Sequence, residues 1–99
     1  MLELNRLLGA SLVKLSQKNS ELYVEFSCGN LRVFNSFLLS ADPENLVGRY
    51  VESIDLKNSE LFLLTLSENA RIEISLKPED YIGPEAFCIK FNDGAIVVE

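Results

Sequence analysis

Ninety-nine residues, of which 47% are apolar and 24% charged, are enough for one hydrophobic core over residues 1–99 and too few for a second. That composition excludes a disordered chain, and no apolar run approaches the roughly 20 residues that a membrane-crossing helix needs. A formal charge of −6 disfavours nucleic-acid phosphates and anionic membranes as partners, and the absence of histidine removes the commonest general base and the commonest zinc ligand.

The chain opens on "MLELNRLLGASL", which has no basic segment followed by an uninterrupted apolar stretch. No secretory signal is expected, and the cytoplasm is the expected location. Within this stretch "LNRLLG" offers one short helical turn. A repeat begins at residue 7. Residues 7–37 lie over 46–76 without a gap at an offset of 39, and ten of the 31 positions are identical, among them Gly9/Gly48, Asn19/Asn58 and Arg32/Arg71. The pentapeptide "KNSEL" stands at Lys18–Leu22 and again at Lys57–Leu61. A repeat sets the structural unit, and the alternation of apolar and polar residues says what that unit is. In "ELYVEF", Leu22, Val24 and Phe26 share one face while Glu21, Tyr23 and Glu25 share the other. "RIEISL" does the same with Ile72, Ile74 and Leu76. "LFLLTL" is apolar nearly throughout, the pattern of a central strand covered on both faces. Asparagine and serine between these runs suit a turn, so "KNSEL" reads as a hairpin turn followed by the opening of the next strand.

Each copy is therefore an antiparallel three-stranded meander, with strands near 11–17, 21–27 and 31–38, then near 50–56, 60–66 and 70–76. Between the copies, "ADPENLVG" places Asp42 as a helix cap, Pro43 at the first helical position and Gly48 as a stop, enough for about one turn. The closing stretch 85–99, "EAFCIKFNDGAIVVE", matches "ELFLLTLSENARIEI" at an offset of 25, and its Asp93-Gly94 pair is the strongest hairpin signal in the chain. The expected fold is all-β. About eight antiparallel strands, two meanders plus a closing hairpin, pack as a β-sandwich or partly open barrel, with at most one or two short helical turns.

Charge is unevenly spread. Residues 1–49 carry five acids and five bases, whereas residues 50–99 carry ten acids against four bases. Such a surplus draws in a basic partner protein, and it serves solubility equally well. The longest segment between apolar runs in that half is "KPEDYIGPEA", 77–86, which holds Glu79, Asp80 and Glu85 around Tyr81 and is stiffened by Pro78 and Pro84. A stiff acidic loop with a central tyrosine has the composition of a protein-binding patch; it also fits a solvated connector. Asp42 and Glu44 are the next candidate partner contacts.

Catalysis is not expected. Adjacent Glu79 and Asp80 tend to point apart, whereas paired-carboxylate hydrolysis needs two carboxyl groups facing one cleft about 5–10 Å apart. No phosphate-cradling glycine loop, nucleophile elbow or calcium-loop spacing occurs, so neither a cofactor nor a metal is expected. Cys28 and Cys88 lack CxxC spacing and read as free thiols. Arg32 and Arg71 fit solvent-facing strand positions paired with Glu25 or Glu73, or else a shared anion site. Tyr50, at the start of the second copy, is expected to be half-buried.

The glycine-led strands "LLGASLVKL" and "LVGRYVESI", the following "ELYVEF" and "ELFLLTL", and "GPEA" leading into the terminal "FNDGAIVVE" make up a pattern. It resembles that of small bacterial all-β proteins, among them immunity-protein-like members of polymorphic toxin and contact-dependent inhibition systems. The resemblance implies an inhibitor that plugs one cognate toxin domain, often a nuclease with a basic substrate groove. Opposite fields raise association rates by roughly 10- to 1,000-fold, and toxin neutralisation benefits from speed. A different class, an assembly module, would pair sheet edges as a homodimer through an uncharged apolar strand such as "AIVVE". A small-ligand barrel would instead need an enclosed cavity.

Overall fold

A computed structural model describes residues 3–99; Met1 and Leu2, the first letters of the opening stretch, lie outside the described residues. The described residues form nine strands: β1 (Leu12–Lys18), β2 (Glu21–Phe26), β3 (Gly29–Val33), β4 (Phe37–Leu39), β5 (Val51–Lys57), β6 (Leu61–Leu66), β7 (Arg71–Ser75), β8 (Phe87–Phe91) and β9 (Ile96–Val98). They form two antiparallel sheets, ordered β1-β2-β3-β8-β9 and β4-β7-β6-β5. The fold is all-β, with two packed sheets and no closed barrel. Each meander hands its next strand to the other sheet: β3 leads to β4, which pairs with β7, and β7 leads to β8, which pairs with β3.

The two copies meet about an approximate two-fold relation recorded in backbone hydrogen bonds. Ser11 and Tyr50, equivalent at the offset of 39, pair antiparallel with each other. Gly9 N donates to Val51 O and Gly48 N to Leu12 O, each at 2.8 Å. Leu12 N donates to Arg49 O at 2.8 Å and Val51 N to Ala10 O at 2.9 Å. Gly9 and Gly48 hold φ of 81° and 94°, a region that glycine enters without steric cost, so both copies carry glycine there. Matching β-bulges follow, between Leu12 and Lys14 and between Val51 and Ser53.

Strict alternation buries one face of each inner strand. Leu22, Val24 and Phe26 of β2 and Phe62, Leu64 and Leu66 of β6 belong to a single core that also takes in Ile72, Ile74, Phe87, Ile89 and Phe91. The sheets touch at Phe62 and Phe87, whose ring centroids lie 4.6 Å apart with planes inclined at 33°. Leu7, from the 3-10 turn Glu3–Leu7, and its equivalent Leu46, from α1 (Pro43–Leu46), are both fully buried. Asp42 stands at the N-cap of α1 but its side chain makes no capping bond. No helix among the described residues is long and apolar enough to cross a membrane.

In place of at most one or two short helical turns, the described residues hold four, Glu3–Leu7, Pro43–Leu46, Ser67–Asn69 and Pro78–Asp80. Three expectations for the strands also change. The run 31–38 is two strands, because the chain turns a corner at Phe34–Ser36 and crosses between sheets. Asn35 is buried there; its Nδ2 donates to Ser75 O at 2.9 Å, and the backbone N–H groups of Phe34 and Asn35 both donate to Ala86 O. That corner raises the strand count from eight to nine. Next, "LFLLTL" is covered on one face only. Phe62, Leu64 and Leu66 are buried, while Leu61, Leu63 and Thr65 stay half-buried, because no second layer lies over the outer side of that sheet. Finally, the gapless repeat holds structurally only from Leu7 and Leu46 through β1 and β5 to the Asn-Ser turns. In the later strands the buried positions match at an offset of 40 (Leu22 with Phe62) and then 41 (Leu31 with Ile72), since both hairpin loops of the second copy are one residue longer.

Candidate functional site

The outer face of the five-stranded sheet is the most structured open surface. Register sets Tyr23 of β2 opposite Arg32 of β3, and Arg32 opposite Cys88 of β8. The neighbouring row is Glu25, Asn30 and Lys90, with Lys14 of β1 opposite Glu25. Phe34, just past β3, and Glu85, just before β8, border these rows and complete an open groove of about 620 Å³. A second hollow of about 330 Å³, between the Asn19-Ser20 turn and Ile82–Glu85, shares Phe34 and Glu85 with it.

Alternation along β2 and β3 aims Glu21, Tyr23 and Arg32 outward, and there they lock together. Arg32 donates through Nε to Glu21 Oε1 at 2.8 Å, and its Nη2 lies 2.8 Å from the same oxygen. Tyr23 Oη also donates to that oxygen, at 2.8 Å. The Arg32 guanidinium carbon sits 5.3 Å from the Tyr23 ring centroid and 5.0 Å from that of Phe34, within cation–π range of both. Hydrogen bonds from Tyr23 and then Arg32 hold the Glu21 carboxyl below its usual range, and the bond to Glu21 raises the Tyr23 phenol. Arg32 stays 51% exposed yet fixed in direction, so a planar charged group is presented without further ordering.

The groove also holds Cys88. Burial first, and Glu85 second, push its thiol pKa up, which keeps the sulfur protonated and weakens it as a nucleophile. Cys28 is raised by burial as well, and both thiols are free. Among the described residues no cluster of three metal-binding side chains occurs.

The residues proposed from sequence are spread around the molecule. Glu85 is half-buried and lines the groove. Glu79 is exposed on the 3-10 turn Pro78–Asp80, Asp80 accepts a hydrogen bond from Ser75 Oγ, and Tyr81 packs half-buried against the core. Asp42 borders a separate depression beside β4, and Glu44 is exposed on α1. Arg32 pairs with Glu21 rather than Glu25, and Arg71 forms no ion pair among the described residues. Tyr50 is 50% exposed. Sequence reading missed Ile82, which is 82% exposed beside the second hollow, and the Tyr23–Arg32–Phe34 stack. An apolar residue inside "YIGP", where glycine and proline forbid a strand, was the available signal for the first. The outward phase of Tyr23 was the signal for the second.

Compared with known proteins, the chain matches no family model, no curated sequence and no solved structure.

Proposed function

We propose that this chain is a protein-binding module of the immunity type, which neutralises a cognate basic toxin domain by docking it on the groove of the five-stranded sheet. The observation that carries the reading is the preformed stack of Tyr23, Arg32 and Phe34 in an open groove, with Ile82 exposed on the adjoining hollow that shares Phe34 and Glu85. Tyrosine, other aromatics and arginine anchor protein interfaces, and a rigid stack loses little entropy on binding. The groove itself mixes Lys14, Arg32 and Lys90 with Glu25 and Glu85. Steering of a basic partner thus rests on the field of the whole chain at −6, and anchoring on the groove.

The test is co-expression with a toxic domain encoded beside this chain, followed by affinity capture at low and high salt. Tyr23→Ala, Arg32→Ala and Ile82→Asp are each expected to weaken capture by about tenfold or more while leaving the far-UV spectrum intact. Capture that ignores all three substitutions, or that ignores salt, would remove the basis for this reading.

A homodimeric assembly module is the second reading, favoured by β9. That strand forms one edge of its sheet and exposes Ile96 by 61% and Val98 by 48%, with no charge within Ile96–Val98. A concentration-independent dimer in sedimentation that Val98→Lys dissociates would select it.

A further inference from the structure

The two sheets differ by one strand, and the difference leaves a slot. Phe37 and Leu39 of β4 lie opposite Ile74 and Ile72 of β7, just as Phe87 and Ile89 of β8 lie opposite Val33 and Leu31 of β3. β4 and β8 are therefore structural equivalents. β8 is flanked on its far side by β9, whereas β4 ends its sheet. Phe87 and Ile89 are accordingly 0% exposed, while Phe37 and Leu39 are only half-buried. Ser75 N donates to Ser36 O and Ser40 N to Arg71 O, which fixes the phase of the ladder. In that phase the N–H and C=O groups of Phe37 and Leu39 point away from β7, and none has a hydrogen-bond partner among the described residues. A depression of about 660 Å³ runs along this edge from Phe37 to Asp42, with Gln17 of β1 on its wall.

We propose that the open edge of β4 accepts an extended basic strand from a partner protein, completing the second sheet as β9 completes the first. The internal template sets the register. A strand placed as β9 is placed would run antiparallel to β4, its central residue opposite Leu39 in the manner of Val97 opposite Ile89. The residues before that strand then pass Asp42, among the described residues the one charged side chain lining the depression, with Glu44 two positions further along. A lysine or arginine about three residues ahead of the central apolar residue is the complement. A second copy's β9 is preceded by Asp93, Gly94 and Ala95, so it offers no lysine or arginine at the position that meets Asp42. This surface belongs to the other sheet and stands independently of the groove.

The probe is an end-capped fluorescent peptide, KKAIVVT, titrated into the full chain by anisotropy and by amide NMR. Shifts are expected to concentrate at Phe37–Asp42. Methylating the backbone nitrogen of the first valine, which faces β4 in this register, should abolish binding, and methylating that of the isoleucine should leave it. Asp42→Lys should weaken KKAIVVT by about tenfold and strengthen an EEAIVVT peptide. Tyr23→Ala should leave the affinity unchanged. Equal binding of both methylated peptides, indifference to Asp42→Lys, or shifts confined to the groove would overturn the proposal. Dimerisation through Phe37–Asp42 without peptide would overturn it too.

Discussion

The first copy passes from β1 to β2 across two residues, Asn19 and Ser20, whereas the second passes from β5 to β6 across three, 58–60. The opening turn geometry is shared: Asn19 and Ser20 hold φ of 53° and 68°, Asn58 and Ser59 of 53° and 60°. The extra residue is Glu60, whose N donates to Lys57 O and whose carbonyl accepts from Leu76 N. The next connection repeats the difference, with 27–28 in one copy and 67–69 in the other. A one-residue slip turns every side chain of a strand to the opposite face. The first slip therefore buries Phe62, Leu64 and Leu66 in place of Leu61, Leu63 and Thr65, and the second restores phase for Ile72 and Ile74. Identical letters make unlike turns: Leu76 N binds the Glu60 carbonyl, whereas Asn35 N, its counterpart in the first copy, donates to Ala86 O.

The largest test of this comparison lies where β9 flanks β8 in one sheet and no described strand flanks β4 in the other. Phe87→Ala should cost about 3–5 kcal/mol in urea unfolding, and Phe37→Ala only about 1–2 kcal/mol, because a half-buried ring leaves a smaller cavity. Equal losses would mean that the fifth strand is not what separates the two positions.

Gly29 and its equivalent Ala70 offer the next. A Cβ at Gly29 would lie 2.5 Å from Lys90 O and 2.7 Å from Phe91 Cα, so Gly29→Ala should cost about 1–3 kcal/mol as β3 and β8 part. Ala70→Gly, where the methyl is already housed, should cost about 1 kcal/mol or less by the same measurement.

Smaller gains are expected in the turns. Ser20→Gly should raise stability by up to about 1 kcal/mol, since left-handed backbone is strained for serine, and a two-residue loop favours Asn-Gly. Ser59→Gly should gain less, because the longer loop is less demanding. A thermal melt in which Ser59→Gly gains more would reverse that ranking of the loops.

The smallest effect is pH-dependent and belongs to the first copy, where Glu21 sits in β2 while its namesake Glu60 sits in a turn. With the Glu21 pKa lowered on folding, the unfolded chain binds the proton more readily. Its contribution is present above the ordinary glutamate range and is lost as pH falls through the lowered folded value. The melting temperatures of the native chain and of Glu21→Gln should therefore converge on acidification. A gap that stays constant with pH would show that the carboxylate charge is not involved.

Local pattern made much of this legible. The phases of β2 and β7 follow from alternation, and the left-handed Asn19 and Asn58 follow from turn chemistry. The corner at Phe34–Ser36 did not follow, because Asn35 looks like an ordinary loop residue until its bond across to Ser75 O is seen. Nor did the groove. Counting acids pointed to Glu79 and Asp80, whereas the ordered surface is built from Tyr23, Arg32 and Phe34, whose meeting depends on strand register.

Periodicity, turn residues and duplication in the chain itself determined an all-β, twice-repeated architecture, since these act over a few neighbouring residues. Only tertiary structure decided the phase of "LFLLTL", the exchange of β4 and β8 between sheets, and the unfilled edge beside Phe37 and Leu39. Those depend on which backbone groups find partners across the molecule, and no local run of letters carries that information.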